Sequence, residues 1–195
     1  MPRKPRAISE SGCYHFITRG VSKKQIFHRE KDYNFYLRLL YENKQLFRIT
    51  IYHYCLMTNH THILLRSKDK NTLSRFGHYV QRRYAYYYCR THKWRGQVFQ
   101  NRFVSIPIEK DSYLLECGRY IERNPLRAGI VKSLKAYPWS SYNFYAGNKQ
   151  DHLLEPSPMF LDLGDSKNQQ QALYKEYLNI SRPYEELVDQ ALIKS

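Results

Sequence analysis

Carboxylates are the scarce class in this chain. Seventeen Asp and Glu face 32 Lys and Arg, a formal charge of +15 with a pI near 9.7. A surface so short of negative charge points to a polyanionic partner, nucleic acid or a membrane surface. Long apolar runs are missing as well, and none reaches the length of a membrane-spanning helix. The opening Met1-Pro2-Arg3-Lys4-Pro5-Arg6 has no apolar stretch of the signal-peptide kind. Cysteine is sparse: Cys13, Cys55, Cys89 and Cys117 are scattered and make no C-x-x-C pair. That excludes a zinc ribbon and a disulfide framework and suits a reducing cytoplasm. No internal repeat is present. The expectation is a cytoplasmic, nucleoid-associated protein that binds nucleic acid. The 19 tyrosines agree, since rings stack on unpaired bases, although most of them belong to the core or an interface.

The positive charge is concentrated. Residues 1–147 hold 27 Lys and Arg against 9 Asp and Glu, whereas residues 148–195 hold 5 against 8. This divides the chain into a basic domain, 1–147, and a mildly acidic, partly helical extension, 148–195. A linker spans Gly147 to Pro156-Ser157-Pro158, and short helices are expected over 173–180 and 184–193. The charge contrast suggests that the extension folds over the basic groove and competes with DNA, so that deleting it raises DNA affinity.

Within the basic domain, Gly12 to Gly20 is rich in β-formers and closed by glycines, which predicts a first strand. Phe35, Leu39, Leu40 and Phe47 mark a helix from Asp32 to Leu46. Arg48 to Met57 and His60 to Arg66 predict two strands joined by Thr58-Asn59. Leu73, Phe76, Val80, Tyr84 and Tyr87 stripe a helix over 72–92, and Gln97 to Ile108 suggests a fourth strand. A last helix, capped by Asp111 or Ser112, is expected to end or kink at Pro125. The fold class is therefore α+β: a ferredoxin-like split βαβ antiparallel sheet with an appended C-terminal helix that bears tyrosine.

The stretch Met57-Thr58-Asn59-His60-Thr61-His62-Ile63-Leu64 puts two histidines one residue apart in a strand, hence on one face. Two neutral imidazoles side by side are half of a metal site. On the last helix Tyr120 and Asn124 lie about 40° apart at the rim of the apolar stripe. Asn124 offers an amide oxygen for a hard divalent cation, and Tyr120 a hydroxyl that attacks phosphorus only when activated. Three other readings stand beside this one. A structural zinc site could use His53, Cys55, His60 and His62. A non-cutting nucleic-acid-binding module of ferredoxin-like fold is the second, although an RRM of that fold carries stacking aromatics in its third strand and this strand has none. The third is a domesticated relative that binds DNA and mobilises nothing.

Gly12-Cys13-Tyr14-His15-Phe16-Ile17-Thr18-Arg19-Gly20, the H-x-H stretch and Tyr120-Ile121-Glu122-Arg123-Asn124-Pro125-Leu126-Arg127-Ala128-Gly129 occur in the order found in a known family. With Trp139-Ser140-Ser141-Tyr142 they span roughly residues 8–145. The chain resembles the single-tyrosine HUH transposases, and within them the REP-associated tyrosine transposases. Thr61 stands where a bulky apolar residue is usual. The resemblance implies Tyr120 as nucleophile and His60, His62 and Asn124 as ligands to Mg²⁺ or Mn²⁺. It also implies single-stranded DNA folded into hairpins as substrate, cleavage through a 5′-phosphotyrosine and rejoining without ATP, by a monomer or a homodimer. Backbone contacts to that DNA are expected from Arg3, Lys4 and Arg6, from Arg19, Lys23 and Lys24 after the first strand, and from Arg82, Arg83 and Arg102 as a wall near the site.

Overall fold

A computed structural model describes residues 7–179 of the chain. Four strands form one sheet: β1 (Cys13–Arg19), β2 (Thr50–Leu56), β3 (His60–Arg66) and β4 (Val104–Ile108). Their order is β2-β3-β1-β4, with every neighbour antiparallel. The arrangement is the expected α+β fold with a four-stranded antiparallel sheet. Two helices, α1 (Glu30–Leu46) and α2 (Lys70–Thr91), connect strands, and α3 (Asp111–Arg127) follows β4.

Strand alternation decides what each face carries. Tyr14 and Phe16 of β1 and Ile63 and Leu65 of β3 join Tyr36, Leu40, Phe76, Val80 and Tyr84 of α1 and α2 in the larger core. The residues between them, Cys13, Ile17 and Leu64, pack with Leu114, Cys117, Tyr120 and Ile121 of α3. One face of the sheet is thus covered by α1 and α2 and the other by α3. Thr61 is fully buried on the α1 side, 2.8 Å from the hydroxyl of Thr18. That bond suits a threonine in place of an apolar residue and leaves its two flanking histidines on the opposite face.

Three elements depart from the expectation. Residues 97–103 are not strand: Val98, Phe99 and Phe103 are buried, Phe103 stacking on Phe16 of β1, but the backbone joins the end of β1 through a bridge from Gly20 to Phe99 and bonds at Val21 and Gln100 rather than a ladder. α3 has Lys110 as its N-cap with no side-chain bond, and Asp111 sits in the first turn, where its charge complements the helix dipole. Pro125 neither ends α3, which runs on to Arg127, nor leaves the turn without donors. The Asn124 amide nitrogen lies 2.8 Å from the Tyr120 carbonyl and 3.5 Å from that of Ile121, the latter being the acceptor for which proline has no N–H.

After α3 the chain turns back along the outer side of β2. Leu56 N–H donates to Trp139 O, Ser141 N–H to Tyr54 O and Glu155 N–H to Ile51 O. Short helices α4 (Tyr142–Tyr145) and α5 (Pro158–Leu161) and the longer α6 (Lys167–Asn179) then build a third cluster of Tyr145, Phe160, Tyr174 and Leu178. The stretch read as a linker is well packed, with Leu153 and Leu154 in the main core and Lys44 Nζ donating to the carbonyls of His152 and Leu153. The helix expected over 173–180 is the second half of α6, while that expected over 184–193 lies outside the described residues.

Candidate active site

α3 crosses its face of the sheet with two different flanks. One flank, Gly118 and Glu122, faces β2. A Cβ on Gly118 would come within 2.6 Å of His53 Nε2, so glycine is what lets the helix approach. Glu122 is fully buried and accepts from His53 Nδ1 at 2.9 Å, Ser141 Oγ at 2.6 Å and the Tyr174 hydroxyl at 3.1 Å. A buried carboxylate tolerates such a place only with this many donors. On the outer side of the helix, Arg119 and Arg123 donate to the carbonyls of Tyr177 and Leu178. The described part of the extension is therefore seated on the Glu122 flank and outer side of α3.

The other flank carries Tyr120 and Asn124. The Tyr120 ring meets the imidazoles of His62 and His15 edge-on, with centroids 5.5 and 5.7 Å away. The Arg127 guanidinium lies 5.2 Å from its centre. The structure thus brings His60, His62 and Tyr120 of one chain to one place, with Asn124 a turn beyond the tyrosine. Tyr120 is 1% exposed.

The nitrogens of the pair are consistent with a cation. His60 Nδ1 is 2.5 Å from Asn59 Oδ1. An amide oxygen only accepts, so Nδ1 carries the proton and Nε2 the lone pair. His62 Nδ1 is 2.9 Å from His15 Nε2, while His62 Nε2 and His15 Nδ1 are buried without partners. If His62 donates from Nδ1, its Nε2 presents a lone pair, the usual state of a ligating histidine held by a second group. Among the described residues no three His, Cys, Asp or Glu are grouped to hold a metal ion; Asn124, on the same flank of α3 as Tyr120, carries an amide. Its amide nitrogen is engaged with the helix backbone, which leaves the oxygen as the donor atom.

His15 was not among the residues expected here. Its signal is weak: a single histidine in a strand, on the same face as Cys13 and Ile17. The zinc alternative fails on placement. His53 is bound to Glu122, and among the described residues no three His, Cys, Asp or Glu are grouped to hold a metal ion.

Burial keeps all three imidazoles neutral. The pKa is lowered to about 3 for His15, to about 4 for His60 (burial, then Arg19), and well below 6.5 for His62. In the unfolded chain each histidine binds a proton near its ordinary value of ~6.5. As pH falls below that value the unfolded state takes up protons that the native state refuses. Stability is then lost at up to about 1.4 kcal/mol per pH unit for each histidine. Urea midpoints should drop steeply between pH 6.5 and 4.5, and less steeply for His15→Asn. A flat profile across that range would refute buried neutral imidazoles.

Of the residues expected on DNA, Arg19 pairs with His60 across the sheet. Lys23 is tied to the same turn by Asn59 Nδ2, which donates to its carbonyl. Lys24 Nζ lies 3.2 Å from the centre of the Trp94 ring. Ser22 and Lys23 both hold left-handed φ values, 49° and 59°, unusual for side-chain-bearing residues. Arg102 is exposed at the entry to β4. Arg82 and Arg83 do not form a wall near the histidines. They are exposed on α2, across the sheet, Arg82 opposite the buried stripe of that helix and Arg83 at the edge of it. Arg3, Lys4 and Arg6 lie outside the described residues.

A family model described as IS200-like transposase matches residues 9–124. The solved structure of a REP-associated tyrosine transposase bound to a REP hairpin superposes with a TM-score of 0.61. Identity to it is 16%, over 80% of this chain and 93% of that one. No curated protein matches the sequence.

Proposed function

Since the chain belongs to the IS200-like transposase family, we propose that it is a metal-dependent single-stranded DNA endonuclease and strand transferase acting at hairpin or palindromic DNA. Tyr120 Oη attacks a phosphodiester phosphorus; the P–O3′ bond breaks, and the leaving oxygen takes a proton to become a 3′-hydroxyl. The product is a 5′-phosphotyrosine. One phosphodiester is exchanged for another, so rejoining needs no ATP. The observation that carries this reading is the contact of Tyr120 with the His15–His62 pair beneath Arg127.

His60, His62 and Asn124 would hold Mg²⁺ or Mn²⁺, which when bound polarises a phosphodiester oxygen and neutralises developing charge. His15 positions the His62 ring through its 2.9 Å bond. Arg127 offers positive charge to the phosphate and to an ionising phenol, whose ordinary pKa near ~10 makes it a weak nucleophile. Arg19, Lys23, Lys24 and Arg102 lead the strand toward the site, with Arg3, Lys4 and Arg6 as further phosphate contacts. Within one chain the Tyr120 ring contacts His15 and His62, which supports cleavage in cis by a monomer; a homodimer is the other state this reading allows.

End-labelled hairpin oligonucleotides and random single-stranded libraries, mixed with the protein and Mn²⁺ and then denatured in SDS, should give a covalent adduct. Peptide mapping should place it on α3. Tight, salt-sensitive binding without any adduct would instead identify a non-cutting binding module.

A further inference from the structure

We propose that the outer face of α2 is a second nucleic-acid contact, which holds a single DNA strand across the sheet from the histidine pair. The helix carries five Lys and Arg and no Asp or Glu between Lys70 and Thr91. Arg75, Tyr79, Arg82, Tyr86 and Arg90 fall within about 80° of one another around its axis, and all five are exposed. Cations and rings therefore alternate along a single stripe. From Arg75 to Arg90 the stripe runs about 22 Å at the α-helical rise.

The groups are already oriented. Arg90 Nη1 donates to the Tyr86 hydroxyl at 2.7 Å, and its guanidinium lies 5.6 Å from the ring centre. Arg75 lies 5.8 Å from the centre of Phe47, whose ring is 5.9 Å from that of Tyr79. Phe47, Arg75, His78, Tyr79 and Arg82 line a groove of about 450 Å³. An exposed arginine-rich helix is commonly balanced by carboxylates one turn away. Here the helix has none to offer, and among the described residues no ion pair involves it.

Charge complementarity selects a polyanion. The exposed rings, Tyr79 at 39% and Tyr86 at 59%, select unpaired bases, because paired bases do not present their faces to a helix surface. Alternating guanidinium and ring is the chemistry that binds single strands without sequence preference. The inference does not rest on cleavage, since the contact is measurable with no bond broken.

The test uses the full chain in EDTA. Irradiation with an iodouracil-substituted oligonucleotide should crosslink the peptides that carry Tyr79 and Tyr86. The triple variant Arg75→Gln, Arg82→Gln, Arg90→Gln should bind oligothymidine about tenfold more weakly, with a log–log salt slope shallower by about 2, at roughly 0.7 per phosphate. Tyr79→Leu with Tyr86→Leu keeps the charge and should lose the crosslinks. These positions are on the surface, and circular dichroism would verify the fold. Unchanged affinity and slope, crosslinks confined to β3 and α3, or duplex DNA competing as well as single strands would each overturn the assignment. The first of these would leave the stripe as a docking face for an acidic protein.

Discussion

Tyr120→Phe is expected to lose covalent attachment to DNA, with strand cleavage falling by at least about 10³-fold, the scale seen when a nucleophile is removed. Its melting temperature and single-strand affinity should stay close to those of the parent. The substitution deletes one oxygen and keeps the ring, and the ring makes the described contacts to His15, His62 and Arg127. The cost to folding should not exceed that of a lost hydrogen bond, about 1 kcal/mol. Adduct on a denaturing gel, melting by circular dichroism and binding by anisotropy separate chemistry from stability. Persistent adduct would move the nucleophile to Tyr113, two turns earlier on the same flank and 41% exposed.

Truncation after Gly147 should abolish folding. The charge contrast alone predicts a freer, tighter DNA-binding domain, whereas the packing predicts a chain that does not hold together. The cut removes Leu153, Leu154, Phe160, Tyr174 and Leu178, all buried. Each contributes about 1.5–3 kcal/mol by burial, a sum comparable with the whole stability of a domain, about 5–15 kcal/mol. It also takes the Tyr174 hydroxyl from Glu122 and uncovers Arg119, which is 0% exposed. Limited proteolysis and urea unfolding would decide. A truncated chain with a cooperative transition near that of the full chain would show that the extension is dispensable. Glu122→Gln, which keeps the shape and loses the charge, should destabilise the full chain in the same direction by a smaller amount.

Sequence patterning located most elements, and the reasons for its successes also explain its misses. β1 and β3 alternate cleanly between faces, and α1 and α2 carry buried residues at helical spacing, so these elements were legible. Gln97 to Phe103 has strand-like residues, but its buried rings pack individually, Phe99 near Tyr84 of α2 and Phe103 on Phe16 of β1, and burial of that kind has no period. The His60–His62 pair is readable because both residues share one strand. His15 is not, because its meeting with His62 depends on the β1–β3 register, in which His62 faces Ile17 and His15 sits diagonally. Tyr120 and Asn124 were placed on one flank by helical geometry alone. The Glu122 network joins residues as far apart as His53 and Tyr174, and no local pattern announces it.

The return of the chain along β2 has a consequence for how copies of the protein meet. An uncovered outer strand is a template for another chain, and proteins commonly shield such strands. Here the backbone groups of Ile51, Tyr54 and Leu56 are taken by Glu155, Ser141 and Trp139, so that margin of the sheet has little left to offer. The opposite margin, β4, is only five residues long and contains Pro107, which has no N–H to share. Intermolecular strand addition is thus discouraged at both margins, by occupation at one and by brevity and proline at the other. A protein rich in β-forming aromatics is in this way kept from templating its own aggregation.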